Sequence, residues 1–223
     1  MALSRILEPE EMAGADEAAE YDAMDFSATD DLFVRRAAEL ARPGTWTVDI
    51  GCGNAKIPLA IASLALAARV CAVEMSSEML AVAVRNRAKA DGAARETAFV
   101  RGDAKRLPFA SGSIGLVVSN SLIHHIPDPS RVFAEVARIA KDSESQPRIL
   151  LRDLLRPETE TRLAEIAAKY SDGWSPLQIR LYKDSLHAAL SLEEVRAYAS
   201  DAGLRGVRME QITDRHWSLE TDV

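Results

Sequence analysis

The chain is short of cysteine, aromatic residues and positive charge, and it has no long apolar run. It holds 2 cysteines in 223 residues, Cys52 and Cys71. Neither their number nor their spacing supports a disulfide framework or a cysteine-based metal site, and such usage fits a reducing cytoplasm. Aromatic residues make up 5% of the chain, and 27 Lys and Arg stand against 34 Asp and Glu, a net charge of -7. That balance argues against a nucleic-acid backbone as the main partner, because a polyanion needs a basic face. No apolar stretch approaches the ~18 residues of a membrane span. The N-terminus carries Glu8, Glu10 and Glu11 and lacks a secretory apolar segment. What remains is 48% hydrophobic, enough for a full core in one domain of this length.

The most informative stretch is Trp46 to Ala62. A short apolar run, Trp46 to Ile50, leads into a tight turn with Gly51 and Gly53. Apolar residues then return at helical spacing at Ile57, Ala60, Ile61 and Leu64. This reads as a buried strand, a glycine turn and a helix start, which aims backbone N–H groups and a positive dipole end at a ligand above the turn. Dinucleotides and S-adenosylmethionine both suit that geometry. The dinucleotide fingerprint wants a third small residue where Lys56 stands. Asp49 precedes the turn; it would repel a pyrophosphate and attract the ammonium group of a methionine moiety.

The rest of the chain alternates strands and helices. Residues 1–15 read as a mobile or loosely docked acidic arm. Asp16 to Ala41 reads as helix in two pieces broken near Phe26-Ser27. Ser63 to Ala68 completes the first crossover helix, and Arg69 to Val73 is a second buried strand with Glu74 at its end. A carboxylate about twenty residues past a glycine turn is placed to accept both hydroxyls of a ribose. A capped helix from Ser76 to about Asp91, a strand Thr97 to Arg101 ending at Asp103, a strand Ile114 to Ser119 and a helix Ser130 to Lys141 follow. Arg148 to Arg152 is the fifth strand, with Asp153 at its end. An insertion then runs to Ala189, holding a helix (Thr161 to Tyr170) and Trp174, Pro176, Tyr182 and His187; placed there it reads as a lid. Ser191 caps a last helix to Ala202, and Val207–Thr213 with His216–Leu219 form a closing hairpin. The expected fold is a doubly wound α/β, mostly parallel seven-stranded sheet with one antiparallel strand and a helical lid. The expected organisation is a single domain: arm 1–41, cofactor-binding core 42–153, lid 154–190, closing helix and hairpin 191–223.

Asp49-Ile-Gly51-Cys-Gly53 resembles the first motif of class I S-adenosylmethionine-dependent methyltransferases, with Ala55 in place of a last glycine. Ser121-Leu-Ile-His124-His125-Ile-Pro127-Asp128 resembles the fourth-strand motif of their small-molecule members. Tyr21-Asp-x-Met24 and the late helix Glu193-Glu-Val-Arg-x-Tyr-Ala-x-x-Ala-Gly-Leu204 are similar to the ubiquinone/menaquinone-biosynthesis group. The resemblance implies in-line methyl transfer from S-adenosylmethionine to a small molecule. It implies a donor site of Tyr21, Asp49, Gly51, Cys52, Gly53, Glu74, Met75, Asp103, Ala104, Asn120, Ser121 and His125, with Asp103 on the adenine amino group and the Ala104 N–H on a ring nitrogen. The sulfonium is already activated, so no metal and no covalent enzyme intermediate is expected; the protein supplies alignment, desolvation and sometimes a base.

Candidate bases are His124, His125 and His187. The histidine pair equally suits packing of the loop into Pro127. Arg152-Asp153 either holds a polar acceptor or forms an ion pair, and Tyr21 either folds over the donor or anchors a helix core. Absence of a cysteine cluster argues against an arsenical acceptor. Other readings stay open: a non-catalytic S-adenosylmethionine-binding subunit, favoured if an apolar patch is exposed near Phe33; a related enzyme that uses the cofactor fold without methyl transfer; and a nicotinamide-dependent oxidoreductase, against which Lys56 and the lack of a Tyr-x-x-x-Lys pair both count. A monomer or homodimer with no membrane or nucleic-acid partner is expected.

Overall fold

The computed structural model describes residues 3–9, 27–65, 68–140 and 148–221. Seven strands form one sheet in the order β3-β2-β1-β4-β5-β7-β6: β1 Trp46–Ile50, β2 Arg69–Glu74, β3 Ala98–Arg101, β4 Leu116–Asn120, β5 Arg148–Leu154, β6 Val207–Gln211 and β7 His216–Thr221. The first five strands run parallel, and β7 lies antiparallel between β5 and β6. The expected doubly wound sheet is therefore the observed one. The order reverses between β1 and β4, which makes a crevice at their carboxyl ends.

Seven α-helices among the described residues cover the sheet: α1 Ser27–Leu40, α2 Lys56–Leu64, α3 Ser77–Lys89, α4 Pro129–Ala140, α5 Glu160–Tyr170, α6 Pro176–Ala188 and α7 Leu192–Asp201. Strand period two divides the core. Val48, Ile50 and Val117 join Phe133, Val136, Ile139 and Trp217 on one face. Leu116 and Val118 join Phe33, Leu59 and Ile61 on the other. In α4, Val132, Phe133, Val136, Ile139 and Ala140 are all buried, so its apolar stripe alone fixes which side meets the sheet. Local signals set the helix starts. Ser76 accepts from the Met79 N–H, Thr159 from that of Arg162, and Ser175–Gln178 and Ser191–Glu194 are complete capping boxes.

Several boundaries differ from expectation. Helix α2 ends at Leu64 rather than Ala68, because Ala65 leaves the helical region (φ -96°, ψ 60°). Strand β4 spans 116–120 rather than 114–119; Ile114 instead anchors the approach, donating to Ile139 O. The insertion holds two helices, since Ser175-Pro176 starts a second one, with proline in the first turn where its missing N–H costs nothing. The N-terminal segment 3–9 is docked, not loose. Leu3 N donates to Glu158 O and Ile6 N to His187 O, while the Arg5 guanidinium donates to the carbonyls of Ala188, His124 and Ile126. Phe33 is buried under the Arg152 guanidinium (4.9 Å), whereas Leu32 beside it and Ile212 across the groove are exposed. Tyr21 and the first helical piece expected at 16–26 lie outside the described residues.

Candidate functional site

The glycine turn opens the site. Gly51 sits at φ 72° and Gly53 at φ 53°, where side chains are strained. A Cβ on Gly51 would also lie 2.6 Å from Leu122 Cδ1. Ala55 occupies the position of the missing glycine with φ 63°. Glu74, at the end of β2, accepts from the backbone N–H of Gly53 (2.8 Å), Met75 (2.9 Å) and Ser76 (2.9 Å). One carboxylate thus pins the turn to the neighbouring strand end and is itself held in a fixed orientation.

Asp49 is buried at 2% exposure. Burial, then the Glu74 carboxylate, then Asp30, push its carboxyl well above the usual range. A cation in front of it relieves that strain; an anion worsens it. Asp103 follows β3, where its Oδ1 accepts from Lys105 N and lies 3.0 Å from Lys105 Nζ. Burial opposes ionisation of Asp103, but the hydrogen bonds and charge of Lys105 outweigh it and lower its pKa.

A cavity of ≈ 620 Å³ connects these strand ends. Asp49, Gly51, Cys52, Gly53, Glu74, Met75, Asp103, Ala104, Asn120, Ser121 and His125 all line it, so eleven of the twelve expected donor-site positions meet in one space; Tyr21 is the one outside the described residues. Lys56 lines it too. The volume lies within the usual range for small-molecule sites.

The other half of the cavity is built from the loop after β4, from Trp174 and from helix α6. Ser121 is held at φ 57°, a strained angle for a residue with a Cβ, while its N–H donates to Arg152 O. The turn that follows carries His124 and His125, whose ring centroids lie 4.2 Å apart. His124 Nδ1 meets Asp153 Oδ1 at 2.5 Å, and Asp153 Oδ2 accepts from the N–H of Ile123 and His124. Burial alone would lower the His124 pKa, but the Asp153 carboxylate and then Glu8 outweigh it and raise it; Asp153 is lowered in turn by His124 against its own burial. Trp174, Gln178, Leu181, Tyr182 and Ser185 close the far wall. Arg215 donates to the Tyr182 hydroxyl and lies 3.7 Å from the Tyr170 ring centroid.

Two expected catalytic residues sit elsewhere than supposed. Asp153 is 1% exposed, is not among the cavity-lining residues, and meets His124 and the backbone N–H groups of Ile123, His124 and Leu154. His187 is not among the cavity-lining residues; its Nε2 faces Glu160 at 3.6 Å. Helix phase explains this: Tyr182 and Leu186 point inward, and the next position turns away by about 100°. Arg152 takes the ion-pair option, donating to Asp30 (2.7 Å), Asn120 Oδ1 (2.6 Å) and Thr29 O (2.5 Å). Glu8 and Asp30 were missed. Both line the cavity, yet Glu8 lies in an unpatterned acidic segment and Asp30 reads as a helix-capping acid.

A family model described as a methyltransferase domain matches residues 48–143. The chain is 28% identical over 172 residues to the 27-O-demethylrifamycin SV methyltransferase of Amycolatopsis mediterranei, covering 77% of this chain and 58% of that one. It is 25% identical over 169 residues to the ubiquinone biosynthesis O-methyltransferase of Xanthomonas axonopodis, covering 76% and 66%. The chain spans about half the length of the curated relatives it matches first. Among solved structures, an S-adenosyl-L-methionine-dependent methyltransferase described as putative, from Methanococcus maripaludis, superposes with a TM-score of 0.68 at 18% identity, covering 98% and 97%. Motif, topology and cleft agree with these likenesses: residues 48–143 match the methyltransferase domain, and the fold is that of class I S-adenosylmethionine-dependent methyltransferases.

Proposed function

We propose that the chain transfers the methyl group of S-adenosylmethionine to a small-molecule acceptor by in-line displacement. The observation that carries this is the meeting of Asp49, Glu74 and Asp103, from three adjacent strand ends, around one cavity that continues past the histidine pair. Each carboxylate has a distinct task. Asp49 faces the ammonium group, Glu74 accepts from the ribose hydroxyls, and Asp103 with the Ala104 N–H reads the adenine edge. Gly51, Cys52, Gly53 and Met75 contribute the backbone around the methionine and ribose, and Asn120, Ser121 and His125 border the methyl end. When bound, S-adenosylmethionine supplies an electrophilic methyl on a good leaving group, so positioning and water exclusion dominate.

His125 is the residue best placed to meet the acceptor. It is partly exposed in the cavity, whereas His124 is locked to Asp153. Helices α5 and α6 act as the lid, with Trp174 and Tyr182 packing edge to face at 5.4 Å to wall the acceptor space. We read the chain as one domain in four parts: arm 1–41, core 42–153, lid 154–190 and closing unit 191–223. No helix among the described residues is long and apolar enough to cross a membrane. Free buried Cys52 and Cys71 support a cytoplasmic setting.

Incubation with methyl-tritiated S-adenosylmethionine and a deproteinised small-molecule extract tests the reading. Label should move into extractable compounds, and His125→Ala should slow transfer at least tenfold and lower turnover more than donor affinity. Label retained wholly on the donor across acidic, phenolic and amine fractions would count against it.

A further inference from the structure

The histidine pair does not act alone. Glu8, from the docked N-terminal segment, brings Oε1 to 3.0 Å from His125 Nδ1 and 3.5 Å from His124 Nε2. The three ligand atoms lie within 4.8 Å of one another. A tetrahedral zinc-type site with bonds near 2.0–2.2 Å places its ligand atoms roughly 3.3–3.6 Å apart, and an octahedral one about 3 Å, so the two separations from Glu8 are of coordination size. The side chains are deeply sunk, with exposures of 4% for His124 and 9% for Glu8. Glu8 Oε1 is buried with no close polar contact among the described residues beyond the two imidazoles, while its other oxygen accepts from the Ser185 hydroxyl. A buried carboxylate oxygen that faces two imidazole nitrogens at 3.0 and 3.5 Å is stabilised only where something positive, a proton or a cation, joins them.

The surroundings favour the same conclusion. Asp153 holds His124 Nδ1, which fixes the ring and leaves Nε2 directed at Glu8; a carboxylate behind a ligating histidine is the usual support of such a ligand. Arg5, in the same segment, directs its N–H groups to the carbonyls of Ala188, His124 and Ile126. All three candidate ligands line the same cavity as Asp49 and Ser121.

We infer that Glu8, His124 and His125 form a binding site for a first-row divalent cation that activates a hydroxyl acceptor. Two imidazole nitrogens and one carboxylate suit zinc, cobalt, manganese or iron(II) and do not suit magnesium, which prefers oxygen donors alone. Three protein ligands leave coordination positions facing the cavity. An acceptor hydroxyl bound there becomes far more acidic, as metal-bound water falls from a pKa of 15.7 to about 7. Its proton passes to water. The oxygen then attacks the methyl carbon; the carbon–oxygen bond forms as the sulfur–carbon bond breaks, and the bonding pair stays on sulfur. The products are a methyl ether, an uncharged thioether and one proton. This rests on the methyl-transfer reading and narrows it to oxygen acceptors.

The test is titration of chelator-dialysed full-length protein with cobalt(II), followed by visible absorption, and with zinc(II) by calorimetry. One equivalent of cobalt should bind with the ligand-field bands of a nitrogen–oxygen site. Glu8→Gln should weaken binding at least tenfold without changing S-adenosylmethionine affinity, His125→Ala should weaken cobalt binding at least as much, and excess magnesium should not displace the cobalt. No cobalt uptake by a protein that still binds S-adenosylmethionine would overturn the site and leave the functional reading standing. Unchanged uptake in both variants, or displacement by magnesium, would also overturn it. Cobalt uptake without donor binding would keep the cation site and overturn the methyl-transfer role assigned to it.

Discussion

Single side chains in this fold carry more than one task, and Glu74 is the clearest case. Its carboxylate collects three backbone N–H groups that would otherwise be left at the strand end and the turn. Charge-assisted bonds of this kind are the strong ones. Glu74→Gln therefore should weaken S-adenosylmethionine binding at least tenfold and also lower stability by roughly 1–3 kcal/mol, since N–H groups lose a charged acceptor. Calorimetric titration and a denaturant curve read the two effects separately; a variant stable as the parent and binding normally would contradict both roles. Gly51→Ala should cost about 1–2 kcal/mol from its positive φ, even if Leu122 swings aside. The residue scale is also where sequence served unevenly. Asp49, Glu74 and Asp103 were legible because each lies at or just past the end of a strand that an apolar run marks. Glu8 and Asp30 were not, because only tertiary docking brings them to the cavity. His187 misled because a lid histidine names no helix face.

Among elements, the N-terminal segment does the least expected work. It holds little apolar pattern, yet Arg5 ties three carbonyls from the β4 loop and the end of α6 into one knot. Arg5→Ala should release it. Hydrogen exchange at the Leu3 and Ile6 amides should then rise toward that of an open chain while β1 and β4 stay protected. Protection unchanged at Ile6 would mean the backbone bonds to Glu158 and His187 suffice. Helix α4 is the opposite kind of element. Its stripe is plain in the sequence, Phe133 is 0% exposed, and Phe133→Ala should cost about 3–5 kcal/mol by cavity formation. The lid was half legible. Thr159 and Tyr170 bracket α5 clearly, but α6 mixes Gln178, Arg180, Lys183 and Asp184 with its apolar residues, so only Ser175-Pro176 marked its start.

At the scale of the whole molecule, the sheet order puts Asp49, Glu74, Asp103 and the loop after β4 on one rim, and pH sensitivity comes from what the rim buries. His216 is 6% exposed, and burial, then Arg215 and Arg152, drive its pKa down to about 3. Its unfolded value is near 6.5, so below that pH the unfolded chain takes up a proton that the folded chain refuses. Stability contributed by neutral His216 is complete above about 6.5 and is lost as pH falls toward 3, at up to ~1.4 kcal/mol per pH unit. Buried Asp49 acts oppositely, its raised pKa favouring the fold in acid. The comparison with His216→Gln isolates the histidine: melting temperatures of parent and variant should diverge in the variant's favour between about pH 6.5 and 5, and parallel curves would contradict the assignment.

The central claim is that the rim of β1, β2, β3 and β4 holds S-adenosylmethionine. Calorimetric titration of the purified chain with S-adenosylmethionine, S-adenosylhomocysteine and NADH tests it most directly. Saturable one-site binding of the first two, weakened in Glu74→Gln, with no heat from NADH is the predicted result. Binding of NADH alone, or donor binding untouched by Glu74→Gln, would contradict it.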